Sequence, residues 1–193
     1  MKKAMRWIAG VDEAGRGPLA GPVFAAAVIL PARWELPGLT DSKKLSALQR
    51  DSLFEQIHAQ AESVGVGYAD VAEIDSLNIL HATMLAMQRA VLALDRMPEE
   101  AWIDGNRCPA LACPVRAIVG GDGLEPVISA ASVIAKVMRD RLMIKLDAQY
   151  PGYGFRQHKG YATRQHILAL EKLGPSPIHR KFYAPVARYF EPV

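Results

Sequence analysis

The sequence lacks the features that define several large classes of protein. Only two of its 193 residues are cysteines, which excludes a framework of disulfide bonds and favours a reduced, cytoplasmic protein. The longest apolar run, from Val23 to Leu30, has eight residues. That is far short of the ~20 needed to span a bilayer, so we expect no membrane association. The apolar stretch after Arg6 meets acidic residues within six positions, which is too short for a signal peptide.

Charge is nearly balanced overall, at +3, but it is unevenly distributed along the chain. Residues 1–135 carry a net charge of −4, whereas residues 136–193 carry +7 together with eight tyrosine or phenylalanine residues. Basic residues interleaved with aromatic rings are typical of nucleic-acid binding, because cations meet phosphates and rings stack on bases. A solvated helical face with ordinary core aromatics explains the same composition equally well.

Hydrophobic periodicity predicts one mixed α/β domain over residues 1–193, in which residues 150–193 form a basic C-terminal extension. Short apolar or alternating runs predict strands, and apolar residues at helical spacing predict helices. The predicted strands cover residues 7–11, 23–30, 64–71, 101–103 and 115–119, and the predicted helices cover residues 46–62, 78–94, 126–146 and 163–173. Ser46 is the expected N-cap of the first helix, and Leu48 is assigned to its buried face.

Four carboxylates each follow a short apolar run and precede a glycine or a turn, namely Asp12, Glu13, Asp104 and Asp122. Acids at strand ends of an α/β sheet face the crevice where such folds bind ligands, and their mutual repulsion there favours a bound cation. Oxygen ligands favour Mg²⁺ or Mn²⁺, and four carboxylates match the charge of two such ions. For any single acid, however, a helix cap or turn residue is the simpler interpretation. Neighbours on a strand point to opposite faces, so Asp12 and Glu13 share a site only if their strand ends or bends there.

Other candidate sites have simpler explanations. His158 and His166 are eight positions apart, which is about 12 Å along a helix, so we do not expect them to share a metal ion. Cys108 and Cys113 lack two further ligands at the spacing of a structural zinc site. A solvated helix face is the simpler interpretation of three basic residues, Lys136, Arg139 and Arg141.

Several stretches resemble the signature motifs of ribonuclease HII, in collinear order over nearly the whole chain. They are residues 10–23 (Gly-Val-Asp-Glu-Ala-Gly-Arg-Gly-Pro-Leu-Ala-Gly-Pro-Val), 41–45, 74–80, 103–106, 121–122, 129–137, 153–155 and 158–163. A match of that length is far more specific than any single motif. The chain departs from the pattern at Gln157, where a basic residue is common, and at Phe182, where a serine is expected.

The resemblance implies a ribonuclease H-like fold, with a mixed central sheet flanked by helices and a C-terminal helical extension. It implies an endonuclease that hydrolyses the RNA strand of RNA–DNA hybrids and nicks 5′ of single ribonucleotides in duplex DNA, leaving 3′-hydroxyl and 5′-phosphate ends. It also implies dependence on Mg²⁺ or Mn²⁺, with two ions per active site when substrate is bound. A monomer is the simplest expectation, and a clamp or polymerase partner is left open.

The resemblance also implies roles for individual residues. It assigns metal binding and catalysis to Asp12, Glu13, Asp104 and Asp122. It assigns reading of the RNA–DNA junction to Gly15, Arg16 and Gly17, sensing of the 2′-hydroxyl to Tyr161, and phosphate binding to Lys43 and Lys159. A glycine pair lets the backbone approach a sugar closely, and the 2′-hydroxyl is what distinguishes RNA from DNA. Two rival functions stay open, a related metal nuclease for branched DNA and a binding module without catalysis.

Overall fold

The computed structural model describes residues 7–190, within which a five-stranded mixed sheet has helices packed on both faces. The strands are β1 (Ile8–Ala14), β2 (Val23–Ile29), β3 (Ser63–Ala69), β4 (Glu100–Asp104) and β5 (Val115–Ile118). The helices are α1 (Ala47–Gln60), α2 (Val71–Leu92), α3 (Gly121–Leu124), α4 (Pro126–Gln149), α5 (Phe155–His158), α6 (Arg164–Leu173) and α7 (Ala184–Ala187), and a 3₁₀ turn covers Ser42–Lys44. Residues 1–6 and 191–193 lie outside the described range. The first of these segments is where the signal peptide considered above would begin.

The sheet has the strand order β3-β2-β1-β4-β5, with β1 at its centre. Strand β2 pairs antiparallel with β1 and β3, whereas β4 pairs parallel with β1 and β5 pairs parallel with β4. The carboxyl-terminal ends of β1, β4 and β5 therefore lie along one edge of the sheet. Candidate acids lie at or just beyond those three ends, so the topology confirms the predicted mixed sheet and brings the acids to a common edge.

Each face of the sheet has its own apolar core. On one face, α2 packs against the sheet through small side chains such as Ala86 and Ala90. On the other face, α4 packs against β1 and β2, with α1 beside it, through side chains such as Ile57 and Ile134. Strand β2 is buried at all seven positions because helices cover both of its faces. This explains why its sequence is apolar throughout rather than alternating.

Gly10 permits a very close approach between the sheet and α4. A Cβ atom at Gly10 would lie 2.1 Å from the carbonyl carbon of Val127, at the start of α4. No larger residue fits there without displacing the backbone of the helix. Because α3 immediately precedes α4 and carries Asp122, this approach also sets the distance between Asp122 and strand β1.

Helix α1 confirms one sequence prediction and contradicts another. Ser46 caps the helix as expected, and its hydroxyl accepts a hydrogen bond from the Gln49 amide at 3.3 Å. Leu48 is 83% exposed, so its assignment to the buried face is wrong. The physical reason is helical geometry, because Leu48 and the buried Ile57 are nine residues apart, about two and a half turns, and so project in opposite directions.

Helix α2 begins earlier than predicted and contains a kink at Asn78. Asp70 caps its first turn, with the Glu73 amide 2.9 Å from Asp70 Oδ1. Asn78 has a φ of 67°, and its side chain accepts hydrogen bonds from the amides of Leu80 and His81. The predicted start at residue 78 is therefore the cap of the second part of the helix. The first part, residues 71–77, was missed because two turns are too short to show apolar periodicity.

The segment beyond α4 packs against the loop that joins β1 and β2. Ala20 and His179 form an isolated β-bridge, and the Leu19 amide donates to the Gly160 carbonyl at 2.8 Å. These contacts bring the C-terminal segment to the sheet edge that carries the acids. Within residues 7–190, none of the helices is both long enough and apolar enough to cross a membrane.

Candidate active site

Three of the four candidate carboxylates converge at the carboxyl-terminal edge of the sheet. Asp12 projects from β1, Asp104 ends β4, and Asp122 lies in the first turn of α3 just after β5. Each offers one carboxylate oxygen, and these oxygens all lie within 4.8 Å of one another. Asp12 and Asp122 are buried, and Asp104 is half-buried. This spacing allows the three side chains to share one bound cation.

Glu13 lines the same cleft but lies outside this group of three. Strand β1 continues through residues 12 and 13 to Ala14, so the two neighbouring side chains leave the strand on opposite faces. The Glu13 carboxylate instead lies beside Arg16, with 3.4 Å between Oε1 and NH1. The structure thus brings Asp12, Glu13 and Asp104 to one cleft, and it places Asp12, Asp104 and Asp122 within reach of a single ion.

Burial and mutual repulsion disfavour the charged forms of these acids. Burial, followed by the charges of Glu13 and Asp104, raises the pKa of Asp12 well above its ordinary value. Burial also raises the pKa of Asp104, and the charge of Asp122 adds to this effect although the Asp122 amide donates a hydrogen bond to Asp104. A divalent cation among these oxygens would remove the repulsion. Because the donors are all hard oxygens, the residues present fit Mg²⁺ or Mn²⁺.

Lys43 partly neutralises the cluster from the rim of the cleft. Its Nζ donates to Asp122 Oδ2 at 3.1 Å and lies 4.0 Å from Asp41 Oδ1. Burial lowers the pKa of Lys43, but the hydrogen bond and the charge of Asp122 outweigh it, so the net shift is upward. The side chain is 74% exposed, which leaves the ammonium group accessible to an incoming ligand.

The sequence did not identify three polar residues that also line the cleft, namely Ser42, Ser132 and Lys136. The two serine hydroxyls are 2.9 Å apart, and a hydrogen bond from the Ser132 side chain opposes the larger effect of burial on the pKa of Asp12. Lys136 was interpreted as solvated, but it faces the cleft and donates to both oxygens of Asp140, at 2.6 and 2.8 Å. The four-residue spacing from Ser132 to Lys136, which places them on one face of α4, is the signal that points to them.

The predicted junction-reading residues lie next to the acids, in the glycine loop (residues 15–21) between β1 and β2. Gly15, Arg16 and Gly17 line the cleft together with Tyr161. Gly15 has a φ of 100°, and a Cβ there would lie 2.0 Å from Arg139 Nε, so only glycine fits. A Cβ at Gly17 would lie 3.7 Å from Tyr161 Cε1, so loop and ring face each other closely.

Lys159 lies apart from this cleft. Its Nζ donates to the carbonyl of Arg156, and the side chain lines a separate groove with Arg50 and Arg141. The structure therefore does not bring Lys159 to the acids. The Lys159 carbonyl oxygen instead accepts a hydrogen bond from Arg139 NH1, with 3.0 Å between the two atoms.

Arg139 is buried, so its interpretation as part of a solvated helix face is wrong. It is only 1% exposed, and its guanidinium donates to the carbonyls of Ala20, Pro22 and Lys159. Burial lowers the pKa of Arg139 to about 10. The reason is that α4 packs directly beneath the glycine loop, whose carbonyls replace water around the guanidinium. Arg141 fits the solvated interpretation, since it is exposed and pairs with acids on α1.

The expected separation of His158 and His166 is also wrong. They lie on different helices, α5 and α6, and their rings stack with centroids 4.4 Å apart. His179 completes this histidine cluster (His158, His166 and His179), with its Nε2 3.0 Å from His166 Nε2. Every ring nitrogen of the three has a hydrogen-bond partner among the described residues. Internal hydrogen bonds therefore hold the three rings together.

Comparison with known proteins identifies the family. The family model for ribonuclease HII matches residues 9–186. Ribonuclease HII of Burkholderia mallei is 58% identical over 184 residues, which cover 95% of this chain and 86% of that protein. The chain belongs to the ribonuclease HII family. Like other members of the family, it is a hydrolytic endoribonuclease that acts on RNA–DNA hybrids and nicks 5′ of single ribonucleotides in duplex DNA.

Solved structures agree with this assignment. Ribonuclease H2 of Pyrococcus horikoshii superposes with a TM-score of 0.80 at 28% identity, covering 94% of this chain and 96% of that one. Bst ribonuclease HIII, solved in complex with Mn²⁺, superposes with a TM-score of 0.67 at 17% identity, covering 96% of this chain and 69% of that one. The first likeness supports the ribonuclease HII assignment, and both show the ribonuclease H-like fold. Members of the ribonuclease H family depend on divalent metal ions, and the acidic cluster of this chain is consistent with that dependence.

Proposed function

We propose that the acidic cleft is the active site of this endoribonuclease. Two Mg²⁺ or Mn²⁺ ions would be held there, when substrate is bound, by Asp12, Glu13, Asp104 and Asp122. The observation that carries the proposal is the convergence of three carboxylates from three separate elements, all within 4.8 Å of one another. Such a group is unfavourable as it stands, because burial and repulsion raise the pKa values of Asp12 and Asp104. Bound divalent ions would remove that penalty.

Metal ions and protein side chains have separate tasks in the proposed reaction. When bound, the ions would supply an activated water and a stabilised leaving oxygen for hydrolysis of the phosphodiester, giving 3′-hydroxyl and 5′-phosphate ends. The Ser132 side chain opposes the larger effect of burial on the pKa of Asp12, and so favours the ionised carboxylate. Lys43 stands at the rim with an exposed ammonium group, where it would exchange its contact with Asp122 for a substrate phosphate.

Recognition of the ribonucleotide is assigned to Gly15, Arg16, Gly17 and Tyr161. The 43% exposed ring of Tyr161 faces Gly17 across the cleft, and the absence of a side chain at Gly17 leaves room for a sugar edge. A site built to hydrogen-bond a 2′-hydroxyl rejects deoxyribose, because its polar groups would then stay unpaired. This arrangement accounts for selection of a single ribonucleotide within DNA.

The duplex would be held mainly by the basic part of the chain. Residues 136–193 carry a net charge of +7, and Lys159 lines a groove with Arg50 and Arg141 that is separate from the cleft. We assign phosphate binding to this groove and treat residues 150–193 as the extension that helps to hold the duplex. A monomer acting in the cytoplasm, where the unpaired Cys108 and Cys113 stay reduced, fits this function.

A labelled duplex with one embedded ribonucleotide tests the proposed function. Incubation with the protein and Mg²⁺ or Mn²⁺ should give one nick on the 5′ side of the ribonucleotide, with a 3′-hydroxyl end that a DNA polymerase can extend. An all-DNA duplex of the same sequence and an all-DNA four-way junction are the controls. Intact ribonucleotide substrate with both metals would refute the proposal. Equal cutting of the junction would instead favour a nuclease for branched DNA.

A further inference from the structure

Arg180, just before the end of the described chain, is a cation in an unusual setting. Its side chain is 0% exposed. Its hydrogen-bond partners within residues 7–190 are three backbone carbonyls and the Tyr183 hydroxyl, and none of them is a carboxylate. The charge of Asp75 acts on Arg180 from a distance, but burial is the larger effect and lowers the pKa of the guanidinium, so its burial is costly. The contacts that Arg180 makes therefore call for an explanation beyond packing.

All three carbonyls belong to the glycine loop. The Arg180 guanidinium donates to the carbonyls of Gly21 at 2.9 Å, Arg16 at 2.9 Å and Gly15 at 2.6 Å. The Tyr183 hydroxyl donates to the same Arg16 carbonyl at 2.6 Å, and it accepts a hydrogen bond from Arg180 at 3.1 Å. The Arg180 side chain thus holds the glycine loop at both of its ends. Tyr183 is a second donor to the Arg16 carbonyl, in the part of the loop that lines the cleft.

The direction of these carbonyls fixes the direction of the amides that follow them. Every peptide bond within residues 7–190 is trans, and a trans peptide points its C=O and N–H groups to opposite sides. The carbonyls of Gly15 and Arg16 point to Arg180 in the interior. The amides of Arg16 and Gly17 consequently point away from Arg180. Because residues 15–17 line the cleft, that direction is the side on which substrate would lie.

We propose that Arg180, assisted by Tyr183, is a positioning residue for ribonucleotide specificity. It turns two loop carbonyls inward so that the amides of Arg16 and Gly17 face the cleft as donors to the sugar of the ribonucleotide. This inference rests on the proposed recognition role of residues 15–17. A guanidinium suits the task because its donors form a rigid fork that bonds several carbonyls at once, which a lysine ammonium does not reproduce.

Binding preference is the property that tests this role. Every protein compared also carries Asp104→Asn, so that the substrate stays intact. Fluorescence anisotropy of labelled DNA then gives two Kd values, one for a duplex with one ribonucleotide and one for an all-DNA duplex of the same sequence. The preference for the ribonucleotide is the Kd ratio, that is, the Kd for all-DNA duplex divided by the Kd for the ribonucleotide duplex. We expect Arg180→Lys to lower this ratio by about five-fold or more, because the fork of donors is lost. The Kd for all-DNA duplex should change by less than about two-fold, since non-specific binding rests on phosphate contacts.

Two outcomes would overturn the inference in distinguishable ways. If Arg180→Lys weakens binding of both duplexes equally, the ratio stays unchanged and Arg180 has only a structural role. If the parent protein shows no preference for the ribonucleotide, the recognition role of residues 15–17 fails, and this inference fails with it.

Tyr183→Phe keeps the inference testable if Arg180→Lys does not fold. It removes one donor to the Arg16 carbonyl and one acceptor from Arg180, but it leaves the guanidinium with its three carbonyl partners. We expect the Kd ratio to fall about two-fold, as for one modest hydrogen bond. Tyr189→Phe is the matched control, because the Tyr189 hydroxyl donates to the carbonyl of Leu170, at 3.2 Å, and not to the glycine loop. An unchanged ratio with Tyr183→Phe, or an equal fall with both variants, would count against the inference.

Discussion

Ionisable side chains are packed together in two regions of this molecule, the acidic cleft at the sheet edge and the histidine cluster of the C-terminal segment. In the cleft, burial and like charges raise the pKa values of Asp12 and Asp104. In the histidine cluster, burial lowers the pKa of each ring, that of His179 to about 4. Both regions therefore favour neutral groups, but only the neutral histidines pair with one another as hydrogen-bond donor and acceptor.

The histidine cluster is complete without a ligand. His179 Nδ1 accepts a hydrogen bond from the Ser176 amide at 2.9 Å, so its Nε2 carries the proton and donates to His166 Nε2. His166 then donates from Nδ1 to the carbonyl of Tyr161 at 2.9 Å. A neutral imidazole has one donor and one acceptor, so neighbouring rings complement each other. Ionised carboxylates only accept, so the three acids of the cleft cannot do the same.

This difference in hydrogen bonding distinguishes the acidic cleft, which we propose as a binding site, from the histidine cluster, which is a structural network. The ionised carboxylates repel one another unless cations lie among them, whereas the neutral histidines need only one another and nearby backbone. The two regions are nevertheless connected, because His166 holds the carbonyl of Tyr161, whose ring lines the cleft. The network thus supports the residue proposed to sense the 2′-hydroxyl. The comparison leads to four predictions.

Asp104→Asn should have the largest effect. Removing one of the three clustered carboxylates should reduce cleavage of an RNA–DNA hybrid by about a thousand-fold or more, because the metal ions supply most of the catalysis. Binding of the hybrid should be retained, and gel-based rate assays with filter binding check both points. Asp70→Asn is the matched control, since Asp70 caps α2 and asparagine caps a helix equally well. Full activity of Asp104→Asn would remove the cleft from the reaction.

Tyr161→Ala should impair cleavage at single ribonucleotides by more than about ten-fold, which is about 1.4 kcal/mol of transition-state stabilisation. The ring faces Gly17 across the cleft, so its loss opens the side of the site where the sugar would lie. Single-turnover rates on the single-ribonucleotide duplex measure the effect. Tyr161→Phe, which keeps the ring, separates stacking from the hydroxyl. Rates of Tyr161→Ala within two-fold of the parent would exclude Tyr161 from the site.

Acid should destabilise the protein through the histidine cluster. The pKa of His179 is about 4 in the folded chain and ordinarily 6.5, so the unfolded chain binds more protons between these values and stability falls as pH decreases through that window. His179→Gln should flatten this dependence, with the Tm losing about 5 °C less between pH 6.5 and pH 4 than in the parent. His81→Gln, at an exposed histidine, is the control. An unchanged slope for His179→Gln would contradict the proposed neutral network.

The smallest expected effect is on thermal stability without metal. Asp104→Asn removes one member of a repulsive cluster, so the metal-free protein should gain about 1 kcal/mol, seen as a Tm increase of about 2–4 °C. Addition of Mg²⁺ should raise the Tm of the parent and not that of the variant. Differential scanning calorimetry with chelator and with Mg²⁺ gives both values. A lower Tm of the variant than of the parent in chelator would show that the clustered carboxylates stabilise the metal-free protein. That result would contradict the proposed difference between the acidic cleft and the histidine cluster.

The sequence predicted the features that depend on local pattern. The unbroken apolar run of β2, the Ser46 cap and the position of acids at strand ends all follow from short segments. Convergence of Asp12, Glu13, Asp104 and Asp122 was also expected, because acids at strand ends of an α/β sheet face one crevice. The parallel pairing of β1, β4 and β5 shows why three of them, Asp12, Asp104 and Asp122, meet. The binding roles of these residues stay predictions.

Features that depend on distant backbone were not predictable in this way. Arg139 and Arg180 bind the Ala20 and Gly21 carbonyls of the glycine loop, which lie more than 100 positions away and carry no side-chain signal in the sequence. The contact between His158 and His166 depends on Lys159 and Gly160, both of positive φ, which turn the chain back between α5 and α6. Helical spacing therefore gave the wrong distance for those two rings.

Diffraction from a crystal soaked in Mn²⁺ would show whether the clustered carboxylates bind metal, because anomalous scattering locates the ion without reference to activity. We expect an anomalous peak among the carboxylate oxygens of Asp12, Asp104 and Asp122, at coordination distance from all three, and no such peak in Asp104→Asn crystals. A peak elsewhere on the molecule, with none beside Asp12 at saturating Mn²⁺, would contradict this expectation.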